Sequence, residues 1–245
     1  MDLTDGLVFN KNPTAHIRFA RFDSRRFGLF LASRAAPTPP EREVVATIPY
    51  RQGVVDFSRL SGARIYENRE IIYTFYQFGV PQGMAGTYQT RAENLLMREF
   101  EQELHDSYDD HFHYLGKCSG IEVEEEYTFR RLKLTITFNL YPFKICNYYE
   151  GEAAWDTHNI YMERIPQVEF SVTGNQQIVL ENVGQNIAKP VVIASDPFTV
   201  TAAGASYEFP IGTTENHRLR LALGENVLEL AGTGTIKFLW RTELI

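Results

Sequence analysis

The chain has 245 residues, 44% of them hydrophobic and 13% aromatic, with a formal net charge of −7 and a pI near 5.4. Acidic balance without clustered Lys and Arg excludes a phosphate-gripping protein and a ligand for anionic membranes, since both need concentrated positive charge. The length suits one large all-β domain or two ordinary ones, and 17 Phe with 13 Tyr lean toward pleated, half-buried surfaces.

The opening MDLTDGLVFNKN carries neither the basic region nor the apolar stretch expected of a signal peptide. No run approaches the ~18 apolar residues that a membrane span requires. Residues 15–33, AHIRFARFDSRRFGLFLAS, alternate as a hairpin, with Asp23-Ser24 favouring a turn. AAPTPPERE follows as an exposed loop, because proline cannot donate to a ladder. Val44 to Tyr50 and Val54 to Phe57 read as short strands. Ile71 to Phe78 is the strongest strand of this half, with Ile71, Tyr73 and Phe75 on one side and Ile72, Thr74 and Tyr76 on the other. Both sides are mostly apolar, which implies cover on both, by a helix, a second sheet or a neighbouring subunit.

After the break PQGMAG, the string TRAENLLMREFEQELHDSY predicts one helix over about 90–105. Thr90 with Glu93 fits a capping box, and Leu96, Phe100 and Leu104 fall four apart on one face. His111 to Lys117 is a short strand, and Ile121 to Glu126 with Phe129 to Tyr141 form a hairpin. In its second arm, RLKLTITFNLYPF, Leu132, Leu134, Ile136, Phe138 and Leu140 share one face. Residues 146–165 lose periodicity, which places a domain boundary near 150 and divides the chain into 1–149 and 150–245. Beyond it, short strands such as QIVLEN, KPVVIAS, FTVTAAG, SYEFPIG, RLRLAL, NVLELAG and TIKFLWRTEL alternate with the turns VGQN, SDP, GENV and GTGT. That grammar predicts a sandwich or jelly roll, and a mainly β protein as a whole.

The densest polar cluster is HDSYDDHFH, with three His and three Asp from His105 to His113. Its spacing matches no metal pattern, and the plain reading is a helix end, a turn and a strand. In EVEEE, alternation points Glu122, Glu124 and Glu126 to solvent, and nothing sets one carboxyl in an apolar pocket as a general acid requires. There is no G-x-S-x-G, the nearest string LSGARIY lacking the first glycine, and no phosphate-binding glycine loop. The two cysteines, Cys118 and Cys146, imply no disulfide framework and read as small buried apolar groups in a reducing compartment; a Cys118–His113 pair is the reactive alternative. Trp240, with Tyr207, Phe209 and His217, either stacks on a sugar ring or is a core or interface ring. No catalytic residue, cofactor or metal is expected.

The order RRFGLFLAS, proline-rich loop, VVATIPYRQGVVDFSRLSGARIYENREIIYTF resembles the N-terminal half of the distal tail (Dit) proteins of siphophages. So does a helix ending near LHDSYDD followed by HYLGKCSGIEVEEEYTFRRLKLTITFNLYPFK. YYEGEAAWDTHNIY is similar to that family's inter-domain connection, and GENVLELAGTGTIKFLWRTEL to its last strands. The resemblance implies an N-terminal β-sandwich or split-barrel domain with one helix, and a C-terminal galectin-like sandwich. It implies a virion protein of the tail tip, made in the host bacterial cytoplasm, that is not an enzyme. Six copies would form a ring that continues the tail tube, passes DNA without specific binding, and docks tail-tip, tail-lysin-type and receptor-binding proteins. In that setting Glu67 and Arg69 would pair across a subunit boundary or, by preference, within their own hairpin. Two other classes are a lectin-like module gripping host cell-wall glycan through Trp240, and a glycan-degrading enzyme using Glu122 or Glu124.

Overall fold

The RLKLTITFNL alternation becomes a strand whose Leu132, Leu134, Ile136, Phe138 and Leu140 are buried while Lys133, Thr135, Thr137 and Asn139 stay half-exposed. A computed structural model describes residues 15–58, 64–151, 167–215 and 217–245, and is 53% strand and 7% helix. The chain divides into two compact units, Met1–Pro142 and Phe143–Ile245.

The first unit contains β1 (Ile17–Phe19), β2 (Phe22–Asp23), β3 (Phe30–Ala35), β4 (Val45–Ala46), β5 (Val55–Asp56), β6 (Arg69–Phe78), α1 (Ala85–Leu96), β7 (Gln102–Asp106), β8 (Phe112–Glu126) and β9 (Arg131–Leu140). One antiparallel sheet runs in the order β2-β1-β7-β8-β9-β6-β3. It curls on itself: Phe19 on β1 lies 5.1 Å from the Phe138 ring on β9, and Arg34 on β3 reaches Asp106 on β7. The apolar alternation decides the inside of the curl, since successive side chains of a strand point to opposite faces and the apolar set is the one buried. Tyr88, Ala92 and Leu95 of α1 pack against that core, and Leu96 is fully buried in it.

The helix lies earlier and is shorter than the 90–105 expected from sequence. Thr90 is interior to it and caps nothing, and Met84 at the N-cap makes no side-chain bond. The start is instead supported from afar, by the Glu125 carboxylate, which accepts the Gly83 N–H at 3.0 Å. That places negative charge at the positive end of the helix. Leu104 belongs to a strand, where Leu104 and Asp106 point inward with a period of two. Phe100, counted on the helix face, is 86% exposed. Pairing with β1 and β8 outweighs local helix propensity across 102–106.

On β6, Ile71, Tyr73 and Phe75 are fully buried, while Ile72, Thr74 and Tyr76 are half-exposed. The second face is polar in its neighbours: Ile72 sits beside Thr137, Thr74 beside Thr135 and Tyr76 beside Lys133. Residues 36–58 and 64–68 instead form an arm between β3 and β6. Its limbs pair at the base through Glu67 N–H to the Pro40 carbonyl (2.9 Å), Glu41 opposite Tyr66 and Arg42 N–H to Ile65 (2.8 Å). Further out, β4 pairs only with β5.

The second unit contains β10 (Lys144–Cys146), β11 (Glu169–Asn182), β12 (Val191–Ala194), β13 (Phe198–Ala202), β14 (Ala205–Phe209), β15 (Gly212–Thr214), β16 (Gly224–Leu239) and β17 (Glu243–Leu244). β16 is its axis, paired with β11 along one edge and with β13 and β12 along the other. The expected GTGT turn is absent, because β16 runs straight through it. Gly232 and Gly234 serve close approach: a Cβ at 232 would meet the Phe198 ring at 2.6 Å, and one at 234 the Asp196 carboxylate at 2.4 Å. RLRLAL makes a single bridge, Leu221 to Ala188, with Leu219 and Leu221 in the core. The expected connection YYEGEAAWDTHNIY lies mostly outside the described residues.

Candidate functional site

The arm is the surface that its own chain leaves bare. Val44, Val45, Ile48, Tyr50, Val54, Phe57 and Ile65 are all exposed, Tyr50 completely. Tyr50 sits at the tip with φ +65°, a left-handed conformation that a bulky side chain adopts only under strain. An isolated two-stranded hairpin is at best marginal in water, and soluble chains seldom present contiguous apolar area of this kind without a partner.

The root of the arm is anchored by Arg69. This side chain is 5% exposed and donates to the carbonyls of Pro37 (2.8 Å) and Pro142 (3.3 Å), with its guanidinium 5.4 Å above the Tyr114 ring. Burial lowers its pKa, and Nε is buried without a hydrogen-bond partner among the described residues. Glu67, three residues down the arm limb from Glu70 of β6, is exposed; Arg69 spends its donors on Pro37 and Pro142. The ion pair of the arm base is Arg64 with Glu41, at 3.4 Å.

Beside Arg69 lies a buried polar cluster. Asp106 accepts from Arg34 Nε (2.5 Å) and the Tyr73 hydroxyl (2.7 Å) on one oxygen, and from the Tyr108 N–H (2.9 Å) on the other. Arg34 also donates to the Tyr114 hydroxyl at 3.0 Å. Burial pulls the Arg34 pKa down, but the Asp106 charge and the tyrosine oxygens more than reverse it. Burial, reinforced by Asp106, raises that of Tyr73, so its hydroxyl stays a donor. The cluster closes the curl of the sheet from β3 to β7. It gives Asp106 three donors within the fold and leaves its carboxylate 1% exposed, as a structural group and not one presented to a substrate.

The other members of HDSYDDHFH separate. His105 and His113 face each other across β7 and β8, rings 5.6 Å apart, with the Glu103 carboxylate 3.2 Å from His105 Nε2. Burial, offset in part by Glu103, lowers the His105 pKa. His111 lies in the intervening turn. Among the described residues no group of three His, Cys, Asp or Glu is arranged to hold a metal. In EVEEE, Glu124 pairs with Lys133 (3.0 Å) and Glu126 with Arg131 (2.5 Å), each directly across the hairpin. Cys118 is a thiol facing the core, its pKa pushed up to about 11 by burial, and Cys146 is half-buried and not part of a disulfide. His113, five residues from Cys118 along β8, falls on the opposite face of the strand.

Trp240 is 2% exposed and belongs to the core of the second unit. Phe209 is buried in the same core, and Tyr207 packs against it. His217 is held by Pro190 and Leu219, edge-on to Phe209 at 5.0 Å. Trp240 and Phe209 are packing groups and offer no face to a sugar, while Tyr207 and His217 are half-buried. A cavity of about 100 Å³ lies under α1, lined by Phe27, Gln77, Tyr88, Arg91 and Leu134; it has room for a few waters. Among the described residues no helix is long and apolar enough to cross a membrane.

No family model and no characterised protein sequence matches the chain. Its structure is similar to the crystal structure of SPP1 Dit (gp 19.1), a paradigm of the hub of the adsorption apparatus in phages infecting Gram-positive bacteria. The TM-score is 0.62 at 13% sequence identity, over 94% of this chain and 99% of that one. The chain therefore has the distal-tail-protein fold, including an N-terminal β domain with one helix and a C-terminal β-sandwich.

Proposed function

We propose that this chain is a structural hub of a phage tail tip: a distal tail protein that is not an enzyme. Copies of its first unit associate into a six-membered ring joining the tail tube to the adsorption apparatus. The second unit is the attachment arm for tail-tip and receptor-binding proteins. The fold it shares with SPP1 Dit supports this reading across both units. A formal charge of −7 also suits a channel through which DNA passes, because like charges keep phosphates from sticking.

The observation that carries it is the apolar arm. Val44, Val45, Val54 and Phe57 stand in water on a hairpin that pairs only with itself. Each such side chain contributes about 1.5–3 kcal/mol when fully buried, which a neighbouring copy can supply. This moves the expected subunit contact from the second face of β6 to the arm. The lectin reading loses its ring, since Trp240 is core.

Light scattering and negative-stain microscopy of the full chain test the proposal. Six-fold rings with peripheral lobes are expected. Val45→Asp with Val54→Asp should give monomers with an unchanged circular dichroism spectrum. A wild-type protein that stays monomeric at every concentration, or rings that survive the double substitution, would overturn it.

A further inference from the structure

The cavity of about 100 Å³ under α1 combines an apolar floor, an orphaned acceptor and a cationic rim. The floor is made by Phe22 of β2, by Leu29, and by Leu134 and Ile136 of β9, all of them buried. On the wall, the Gln77 side-chain amide is fixed in orientation, because Nε2 donates to the Phe27 carbonyl at 3.2 Å. That leaves Oε1 buried, with no partner among the described residues. A buried acceptor in this state costs stability and calls for a donor. The charged lining residues are both exposed cations, Arg26 from the loop before β3 and Arg91 from α1. Among the described residues neither makes an ion pair: the neighbouring Arg25 takes Asp23 at 2.9 Å, and Arg91 lies over the Phe27 ring at 5.0 Å. The loop that carries Arg26 and Phe27 is held by its own backbone, with the Gly28 N–H on the Arg25 carbonyl and the Leu29 N–H on the Ser24 carbonyl, each at 3.0 Å. Cation and ring are therefore set in place before anything binds.

We infer that this cavity takes the carboxy-terminal residue of a partner polypeptide, one with a branched aliphatic side chain. The side chain enters the apolar floor, the residue's own N–H donates to Gln77 Oε1, and the terminal carboxylate lies against Arg26 and Arg91. Size selects the side chain. An apolar cavity of about 150 Å³ holds benzene. One of about 100 Å³ takes a valine or leucine side chain and rejects an aromatic ring. Charge selects the end of the chain: two guanidinium groups without an acid between them match a carboxylate, whereas an aliphatic residue inside a chain brings only a neutral carbonyl. Water is a poor tenant of the floor, since it needs two to four polar partners and the floor supplies none. An acidic side chain is poor too, because it would carry its charge into apolar walls. Each copy holds the whole site, so binding reads alike in a monomer and in a ring, and the failure of one idea leaves the other standing.

The test uses the full chain and the labelled peptide Gly-Ser-Gly-Ser-Gly-Leu, followed by fluorescence anisotropy. The free-acid peptide should bind. Its carboxy-terminal amide, and the same peptide ending in Ala or Phe, should bind about tenfold or more weakly. Arg26→Gln with Arg91→Gln should weaken the leucine acid by about the same factor and remove the difference between acid and amide, with an unchanged circular dichroism spectrum. Arg25→Gln, whose cation is already spent on Asp23, should leave binding as it is. Ala92→Leu fills the cavity from the helix side without touching either cation, and should abolish binding in a chain that still folds. Equal binding of acid and amide would overturn the inference. So would binding that survives Ala92→Leu, or no binding by any peptide at millimolar concentration. Free leucine that binds as tightly as the peptide would overturn it as well, because the site would then read an amino acid and not a chain end.

Discussion

Replacing Asp106 by Asn tests whether the curled sheet of the first unit is clasped by charge. The carboxylate is 1% exposed and takes three donors, from Arg34, Tyr73 and Tyr108. Asparagine has the same shape but only one acceptor oxygen, so an amide NH2 must face either the Arg34 and Tyr73 donors or the Tyr108 N–H. Removing one member of a buried ion pair costs about 3–5 kcal/mol. The Arg34 side chain is 21% exposed and keeps the Tyr114 hydroxyl, so solvent and that bond absorb part of the loss. A cost of about 2–4 kcal/mol is expected, which for a domain of this size is a fall in Tm of roughly 5–15 °C. Urea denaturation followed by near-ultraviolet tyrosine signals reads the first unit. Trp240 lies in the core of the second unit, so its emission in a Trp155→Phe background is an internal reference and should not move. In an Arg34→Met background the cost of Asp106→Asn should shrink, because the stranded cation is gone. A cost below about 0.5 kcal/mol, or the same cost with and without Arg34, would refute the clasp.

Three further outcomes follow from the second unit. His217 accepts the Leu219 N–H on Nδ1 (3.2 Å) and bonds the Pro190 carbonyl through Nε2 (2.7 Å), and burial lowers its pKa from 6.5 despite that second bond. The unfolded chain then binds the proton first as pH falls, so its contribution is complete above about pH 6.5 and lost below it; tryptophan-detected urea midpoints should drop between pH 7.5 and 5.5, by less in His217→Gln. Gly232→Ala pushes a methyl into Phe198 and should cost about 1–3 kcal/mol in the same assay. Trp240→Phe removes a buried indole N–H that has no partner among the described residues, so it should cost clearly less than the about 3–5 kcal/mol expected of Trp240→Ala, measured by calorimetry.

The sequence by itself determined which residues face inward along β9, because alternation is a local record of one-sided burial; along β6 both faces read as apolar, and only the fold shows that Ile72, Thr74 and Tyr76 stay half-exposed. The sequence also carried the mainly β character of the chain and, through the order of its loosely patterned segments, the resemblance to distal tail proteins. Only the tertiary structure decided where that helix begins, since its start is supported by Glu125, 42 residues away. The same holds for β7, where pairing on both edges overrides a helical spacing of leucines. Gly232 and Gly234 look like a turn in sequence and are clearances in the fold, because only the fold brings Phe198 and Asp196 against them. Arg69 reads as a surface ion-pair partner and is a buried brace on Pro37 and Pro142. A local pattern tells a side chain which way to point; what it meets there depends on segments far along the chain, and their positions are settled only when the sheet curls closed.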